Sequence, residues 1–241
     1  MKFNLLITGG LGYIGSFTAK NYLQKTKKKL FVVDNLSRGN FFAKKYSNSN
    51  ILDISNNKLI KIIEKKKINT IIHLASFTCV RESIRKKNKY FNNYKSQVKF
   101  INNVKKTSVK YFIFSSSLSV YEKNKYKRNL SPYSMYKLKI EKYLKTISSK
   151  NFKVIILRYP NIIGSDPSGK LGEKNDFISR IVPLFYKNLS KTKKNTLFYD
   201  YNKKIYPSRN YMHVDDISNI NLKVVENLDK FKNRYQIFNI K

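Results

Sequence analysis

The sequence contains no tryptophan, a single cysteine and only 14 acidic residues against 50 lysines and arginines, giving a formal net charge of +36 over 241 residues. The lone Cys79 cannot close an internal disulfide, which excludes a disulfide-stapled scaffold and points to a reducing compartment. No apolar run is long enough to span a bilayer as a helix. The N-terminus does not read as a secretory signal: it has one lysine and a short apolar stretch broken by Asn4, with glycines close behind. A cytoplasmic protein with no membrane partner is expected.

The shortage of acids leaves a field that attracts polyanions. The lysine-bearing stretches, however, lie in every segment (27–29, 65–67, 86–87, 191–194 and 203–204). They do not form one face with interleaved aromatics, as specific nucleic-acid binding requires. Lysine, asparagine, isoleucine, tyrosine and phenylalanine abound while alanine and glycine are scarce, the composition that an AT-rich genome imposes on any protein. No specific nucleic-acid partner is expected. Weak non-specific adhesion follows either way.

What the sequence does have begins at once. Phe3 to Ile7 is a short apolar run of buried-strand type. It breaks at Thr8-Gly9-Gly10, and a helical pattern resumes at Tyr13. Gly9, Gly12 and Gly15 stand in G-x-x-G-x-x-G spacing. The first glycine allows a tight turn, the second lets backbone approach a pyrophosphate, and the third lets the helix pack on the strand. The helix start then aims unpaired amides and a positive dipole end at the phosphates. A second strand, Leu30 to Val33, ends in Asp34, placed to bind both ribose hydroxyls of NAD and to repel a 2′-phosphate. Arg38 is of the kind that accommodates such a phosphate, so NADP stays open at this point with NAD favoured.

The remaining chain alternates. Ile51-Leu52 reads as a short strand leading into Asp53-Ile54, an acid and an apolar residue suited to an adenine amine and face. Ser55 to Lys67 is an amphipathic helix, and Asn69 to Leu74 a strand running into Ala75-Ser76. Ile84 to Lys106 reads as one long helix, or two interrupted near Asn92-Asn93. Lys110 to Phe114 is the next strand, closed by Ser115-Ser116-Ser117. This order predicts an α/β fold, a doubly wound parallel sheet of Rossmann type whose ligands sit beyond the strands' carboxyl ends. Residues 1–159 are expected to form the NAD-binding domain. From Pro160 the chain turns to loops, with short helices near 176–188 and 215–228 and strands near 196–199 and 235–240. Residues 160–241 are expected to form a smaller, partial substrate-binding lobe over the mouth of the sheet.

Ser117, Tyr133 and Lys137 are the catalytic candidates. Tyr133 and Lys137 are four apart in a helix starting near Pro132, and so share a face. A tyrosine is a poor base at its ordinary pKa near 10. An adjacent ammonium and a cationic nicotinamide ring both favour phenolate. Lys137 can also hold the nicotinamide ribose, and Ser117 can donate a hydrogen bond to a sugar oxygen.

With these residues in place, the chain resembles the extended short-chain dehydrogenase/reductase superfamily and, within it, the UDP-glucose 4-epimerase family. The matching stretches are Thr8 to Ser16, Asp34-Asn35-Leu36-Ser37, Asp53-Ile54, Phe112 to Ser117, Ser131-Pro132-Tyr133, Leu157 to Asn161, Asp166 to Glu173 and Arg209 to Val214. The resemblance implies Tyr133 as acid/base, Lys137 as its partner and Ser117 as sugar-hydroxyl ligand. For the cofactor it implies Gly9, Gly12, Tyr13, Ile14, Gly15, Asp34, Asn35, Asp53, Ile54, Leu74, Ala75, Asn93 and Ser115, together with Tyr133, Lys137 and Tyr159. It places Asn161 and Arg209 on a UDP-hexose substrate, the guanidinium fitting phosphate oxygens. It assigns His73 and His213 structural positions with no metal, and makes a homodimer the family habit.

Dehydratases of the superfamily carry an Asp-Glu pair after the catalytic hydroxyl residue, because they must also expel a hydroxyl. Here Ser117 is followed by Leu118-Ser119-Val120, which favours epimerisation. The chain departs from the family at Thr78 (usually lysine), Pro160 (phenylalanine), Ser96 (glycine) and Arg180 (asparagine), with a shortened 122–131. It ends at Lys241, short of the family's full lobe. A second reading is therefore a relative that binds NAD without turnover, and a third, from charge alone, a polyanion binder.

Overall fold

The computed structural model describes residues 4–26, 28–39, 43–44, 49–121, 130–173, 181–192 and 209–241. Nine strands occur among them: β1 (Leu5–Thr8), β2 (Leu30–Asp34), β3 (Ser49–Ile51), β4 (Thr70–His73), β5 (Tyr111–Ser117), β6 (Lys153–Tyr159), β7 (Asn161–Ile163), β8 (Tyr211–His213) and β9 (Tyr235–Asn239). Seven of them form one sheet in the order β3-β2-β1-β4-β5-β6-β9, every pair parallel. The helices are α1 (Tyr13–Lys25), α2 (Lys58–Lys65), α3 (Val80–Arg85), α4 (Lys87–Lys105), α5 (Pro132–Ile147), α6 (Ile181–Thr192) and α7 (Val214–Glu226).

The central strands β1, β2, β4, β5 and β6 are rich in buried apolar residues because both of their faces are covered. On one face Leu5, Ile7, Val32, Ile113 and Leu157 meet Phe17 and Tyr22 of α1 and Ile217 and Leu222 of α7. On the other, Leu6, Val33, Ile71, Phe112 and Ile156 meet Leu59 of α2, Phe100 and Val104 of α4, and Ile140 and Leu144 of α5. Side chains alternate between the two sides, so each strand serves both cores. The strand order reverses between β1 and β4, opening a crevice beyond their carboxyl ends, where ligands of such sheets bind.

Three expectations need correction. The helix read from Ile84 starts at Val80, and its break falls at Lys86 (φ −117, ψ 57), not near Asn92-Asn93. Tyr90 explains the bend: its hydroxyl donates to the Cys79 carbonyl at 2.8 Å and accepts from the Cys79 amide at 3.1 Å. That folds the first turn of α4 back onto the start of α3. Asn93 meanwhile sits inside α4 and accepts from Gln97 Nε2 at 2.8 Å, a one-turn pair that supports the helix.

The second correction concerns the chain beyond Pro160, which does not all leave the sheet. β9 pairs with β6 from Val154↔Tyr235 to Arg158↔Asn239. α7 joins the core beneath α1, tied by hydrogen bonds from Asn21 to Ser218 and from Asn221 Nδ2 to Thr18 Oγ1 (3.1 Å). The third is a small parallel pair, β7 with β8, that the sequence did not signal because each strand has only three residues. The strand expected near 196–199 and position 180 lie outside the described residues. Among the described residues, no helix is long and apolar enough to cross a membrane.

Candidate active site

The glycine turn is built from backbone. Gly9 has φ +70, and its amide donates to the Val33 carbonyl at 2.8 Å. A Cβ there would stand 2.6 Å from the Ala75 amide nitrogen, and one at Gly15 would collide with the Gly9 carbonyl. Gly12 is the N-cap of α1 and supplies no side-chain cap, so that helix start is left to an outside anion. Ile14 packs half-buried on the core, and the Tyr13 hydroxyl donates to the Gly164 carbonyl at 2.6 Å.

Asp34 closes the turn. Its oxygens accept from the Leu11 amide (3.0 Å) and the Leu36 amide (2.7 Å). Burial pushes this carboxyl above its ordinary range, restrained by those amides and that of Gly12. Next to it Asn35 Nδ2 donates to Asp53 Oδ2 at 2.6 Å, and Ser55 donates to Asp53 Oδ1 through its amide (2.8 Å) and hydroxyl (2.7 Å). Burial alone would raise Asp53, but the Ser55 and Asn35 hydrogen bonds hold it below its ordinary value. Ile54 is buried, Leu74 donates its amide to the Thr8 carbonyl at 3.0 Å, and Ala75 abuts Gly9.

Helix α5 carries the candidate acid/base. Pro132 occupies its first turn, and the N-cap Ser131 hydroxyl accepts from the Ser134 amide at 3.2 Å, a favourable start on both counts. Tyr133 and Lys137 are both buried and line one small recess together with Ser76, Asn93 and Gln97. Lys137 Nζ donates to the Ser115 carbonyl at 2.7 Å and lies 4.6 Å from the centre of the Phe114 ring. Burial lowers its pKa to about 7, against an opposing pull from Glu141. Ser115 Oγ is committed to the His73 carbonyl at 2.9 Å.

Ser117 is tied to the start of α5 by a link through Ser119 and Ser134 that the sequence did not signal. Its Oγ accepts from the Ser119 amide at 3.2 Å, and Ser119 Oγ accepts from Ser134 Oγ at 2.9 Å. Ser134 is the residue after Tyr133, so the end of β5 and the start of α5 are held in one register. Also missed was Glu141, one turn beyond Lys137. It receives Arg158 through Nε (3.0 Å) and Nη2 (2.5 Å), as well as the Ser116 hydroxyl. Four-residue spacing from Lys137 was the available signal for it.

His73 takes a structural place: its Nδ1 meets Thr8 Oγ1 at 2.7 Å, and its ring stacks on Phe100 and Phe114. Burial, then the charge of Lys137, lowers its pKa to about 3. His213 caps α7, accepting from the Asp215 amide at 3.2 Å.

Of the residues expected on a substrate, Asn161 donates its backbone amide to the Asn210 carbonyl at 3.1 Å, next in the chain to exposed Arg209. Tyr159 is the residue expected beside a nicotinamide. Its ring is buried on the α1–α7 side, its hydroxyl donates to Asn221 Oδ1 at 2.6 Å, and burial raises its pKa. The phenol therefore serves helix packing.

A dinucleotide fits what is present. The start of α1 has no side-chain cap, Gly12 adds no Cβ, and Lys137 spends one of its three donors on Ser115. A doubly wound sheet with a phosphate-ready glycine turn and a tyrosine–lysine pair defines a dinucleotide-dependent enzyme of the short-chain dehydrogenase/reductase type. The profile of the NAD dependent epimerase/dehydratase family matches residues 5–240. The chain belongs to that family, and NAD is its cofactor. It is 32% identical over 249 residues to the UDP-glucose 4-epimerase of Pasteurella multocida, covering 92% of this chain and 73% of that one. The structure of UDP-glucose 4-epimerase from Brucella ovis in complex with NAD is similar with a TM-score of 0.86 and 27% identity, over 99% of this chain and 77% of that one. The UDP-Glc/GlcNAc 4-epimerase from Campylobacter jejuni is similar with a TM-score of 0.78 and 29% identity, over 99% and 78%.

Proposed function

We propose that the chain is a UDP-hexose 4-epimerase that interconverts UDP-glucose and UDP-galactose by transient oxidation at C4. The observation that carries this reading is the convergence of Tyr133 and Lys137 on one recess, tied through Ser134 and Ser119 to Ser117. When bound, NAD supplies a hydride acceptor that gives the hydride back. Tyr133 takes the proton of the 4-hydroxyl as oxidation proceeds and returns it on reduction, whichever face the sugar then presents. Lys137 favours the phenolate through its charge and directs its remaining donors to the cofactor ribose. Ser117 holds the sugar oxygen, while Asn161 and Arg209 hold the nucleotide end.

Dehydration needs a further acid and base. The turn after Ser117 is a single 3-10 turn, Leu118–Tyr121, without a carboxylate, which supports epimerisation over that chemistry. A coupled assay on the purified chain tests the reading, with UDP-galactose supplied and UDP-glucose detected. Turnover is expected, and UDP-N-acetylglucosamine is the competing sugar to assay beside it. NAD binding with no turnover of either sugar would favour the non-catalytic alternative. Pairing as a homodimer is proposed alongside, checked by light scattering.

A further inference from the structure

Arg38 follows Asp34 by four positions on the loop after β2, and its neighbour Gly39 abuts the aspartate. A Cβ at Gly39 would lie 3.0 Å from Asp34 Oδ1. The loop thus brings an arginine to the wall where the adenosine ribose would lie, and an arginine there is what lets a dinucleotide site accept a 2′-phosphate. The guanidinium is instead turned to Glu82: Nη2 donates to Glu82 Oε2 in an ion pair, and Cζ lies 5.3 Å from the centre of the Phe77 ring.

Glu82 is itself fixed from several directions. It sits in the first turn of α3, where an acid suits the helix dipole, and its amide donates to Cys79 Sγ at 3.3 Å. Its carboxylate also receives Lys89 Nζ at 2.9 Å and the Tyr90 hydroxyl at 3.0 Å. The side chain is only 9% exposed. Burial alone would raise its pKa, but Lys89, Tyr90 and Arg38 keep it below the ordinary value, so it is an anion across neutral pH.

We propose that Glu82 is a cofactor-specificity residue: by holding Arg38 against Phe77 it denies a 2′-phosphate its cation, and so completes the preference for NAD that Asp34 begins. The inference rests on the assignment of Asp34 to the adenosine ribose. In this role Glu82 acts through Arg38, as a positioning residue.

The fluorescence of the bound dihydronicotinamide ring reads the affinity of NADH and NADPH directly. In Glu82→Gln, which keeps an acceptor for Tyr90, the NADPH-to-NADH affinity ratio is expected to rise about tenfold. In the double variant Arg38→Ala/Glu82→Gln it is expected to fall back to that of the parent. Arg38→Ala alone should leave the ratio unchanged, because the arginine is already sequestered. This third arm stands even if Glu82→Gln fails to fold. An unchanged ratio in Glu82→Gln, a shift that persists without Arg38, or a loss of NADPH affinity in Arg38→Ala would each overturn the proposal. A parent chain that binds neither nucleotide would overturn the Asp34 assignment and the proposal with it.

Discussion

The glycine-turn side of the crevice and the side expected to hold substrate are built by opposite means. On the cofactor side the polar groups are already hydrogen-bonded to one another: Asp34 to Leu11 and Leu36, Asn35 to Asp53, Asp53 to Ser55. The turn itself is backbone with no room for a Cβ at Gly9 or Gly15. On the side expected to hold substrate, Asn161 and Arg209 are exposed; Asn161 opens the three-residue β7, and Arg209 lies two positions before the three-residue β8. One side is preorganised by the core and the other borrows its order from a few surface contacts. Preorganisation saves the ordering entropy of binding, so damage should act on structure in the first region and on substrate affinity in the second.

The sharpest test acts between the two regions. Tyr133→Phe should lower kcat by about 1,000-fold, the scale of general acid–base catalysis, while NAD binding by calorimetry persists. Unchanged turnover would remove Tyr133 from the chemistry. On the cofactor side, Gly15→Val should cost about 3 kcal/mol or more of stability, since the new side chain meets backbone that cannot yield. Thermal melts by circular dichroism read this, and a parent-like melting temperature would break the contrast. On the substrate side, Arg209→Ala should raise KM for the UDP-sugar roughly 30-fold, the value of a charge-assisted hydrogen bond of about 2 kcal/mol, and leave the melting temperature where it was.

The last effect concerns pH. Lys137 is held at about 7 in the folded chain, against roughly 10.4 in the unfolded one. Between those values the unfolded chain carries the extra proton, so this group makes stability rise with pH by up to about 1.4 kcal/mol per pH unit. Below about 7 both states are protonated and its contribution is flat. Lys137→Met should therefore flatten the stability profile only above neutrality, as read by urea titration at pH 7, 8 and 9. A slope identical to the parent's would show that the ammonium is not buried as described.

The regions also differ in how legible they were beforehand. Gly9, Gly12, Gly15, Asp34 and the Tyr133–Lys137 pair declare themselves by local spacing, because strand, turn and helix each impose a short period. The Glu141–Arg158 pair, the Ser134–Ser119 link and the Arg38–Glu82 pair did not, since they join residues brought together only by the fold. The break at Lys86 was misplaced because asparagines suggested a weak point, whereas Tyr90 reaching back to Cys79 decided it. Tyr159 was read from the resemblance as a cofactor neighbour, and the packing of α7 claimed its hydroxyl. The entry of β9 into the sheet was hidden for the same reason: nothing in Tyr235 to Asn239 names its partner 81 positions earlier.

That distant pairing bears on biosynthesis. Val154 leaves the ribosome well before Tyr235, by roughly 4 to 16 s at the usual 5–20 residues per second. Until then β6 stands as an unprotected edge, its amides and carbonyls open to any other extended chain. Lys150 and Lys153 stand at its entrance, where like charges discourage two nascent chains from zipping together.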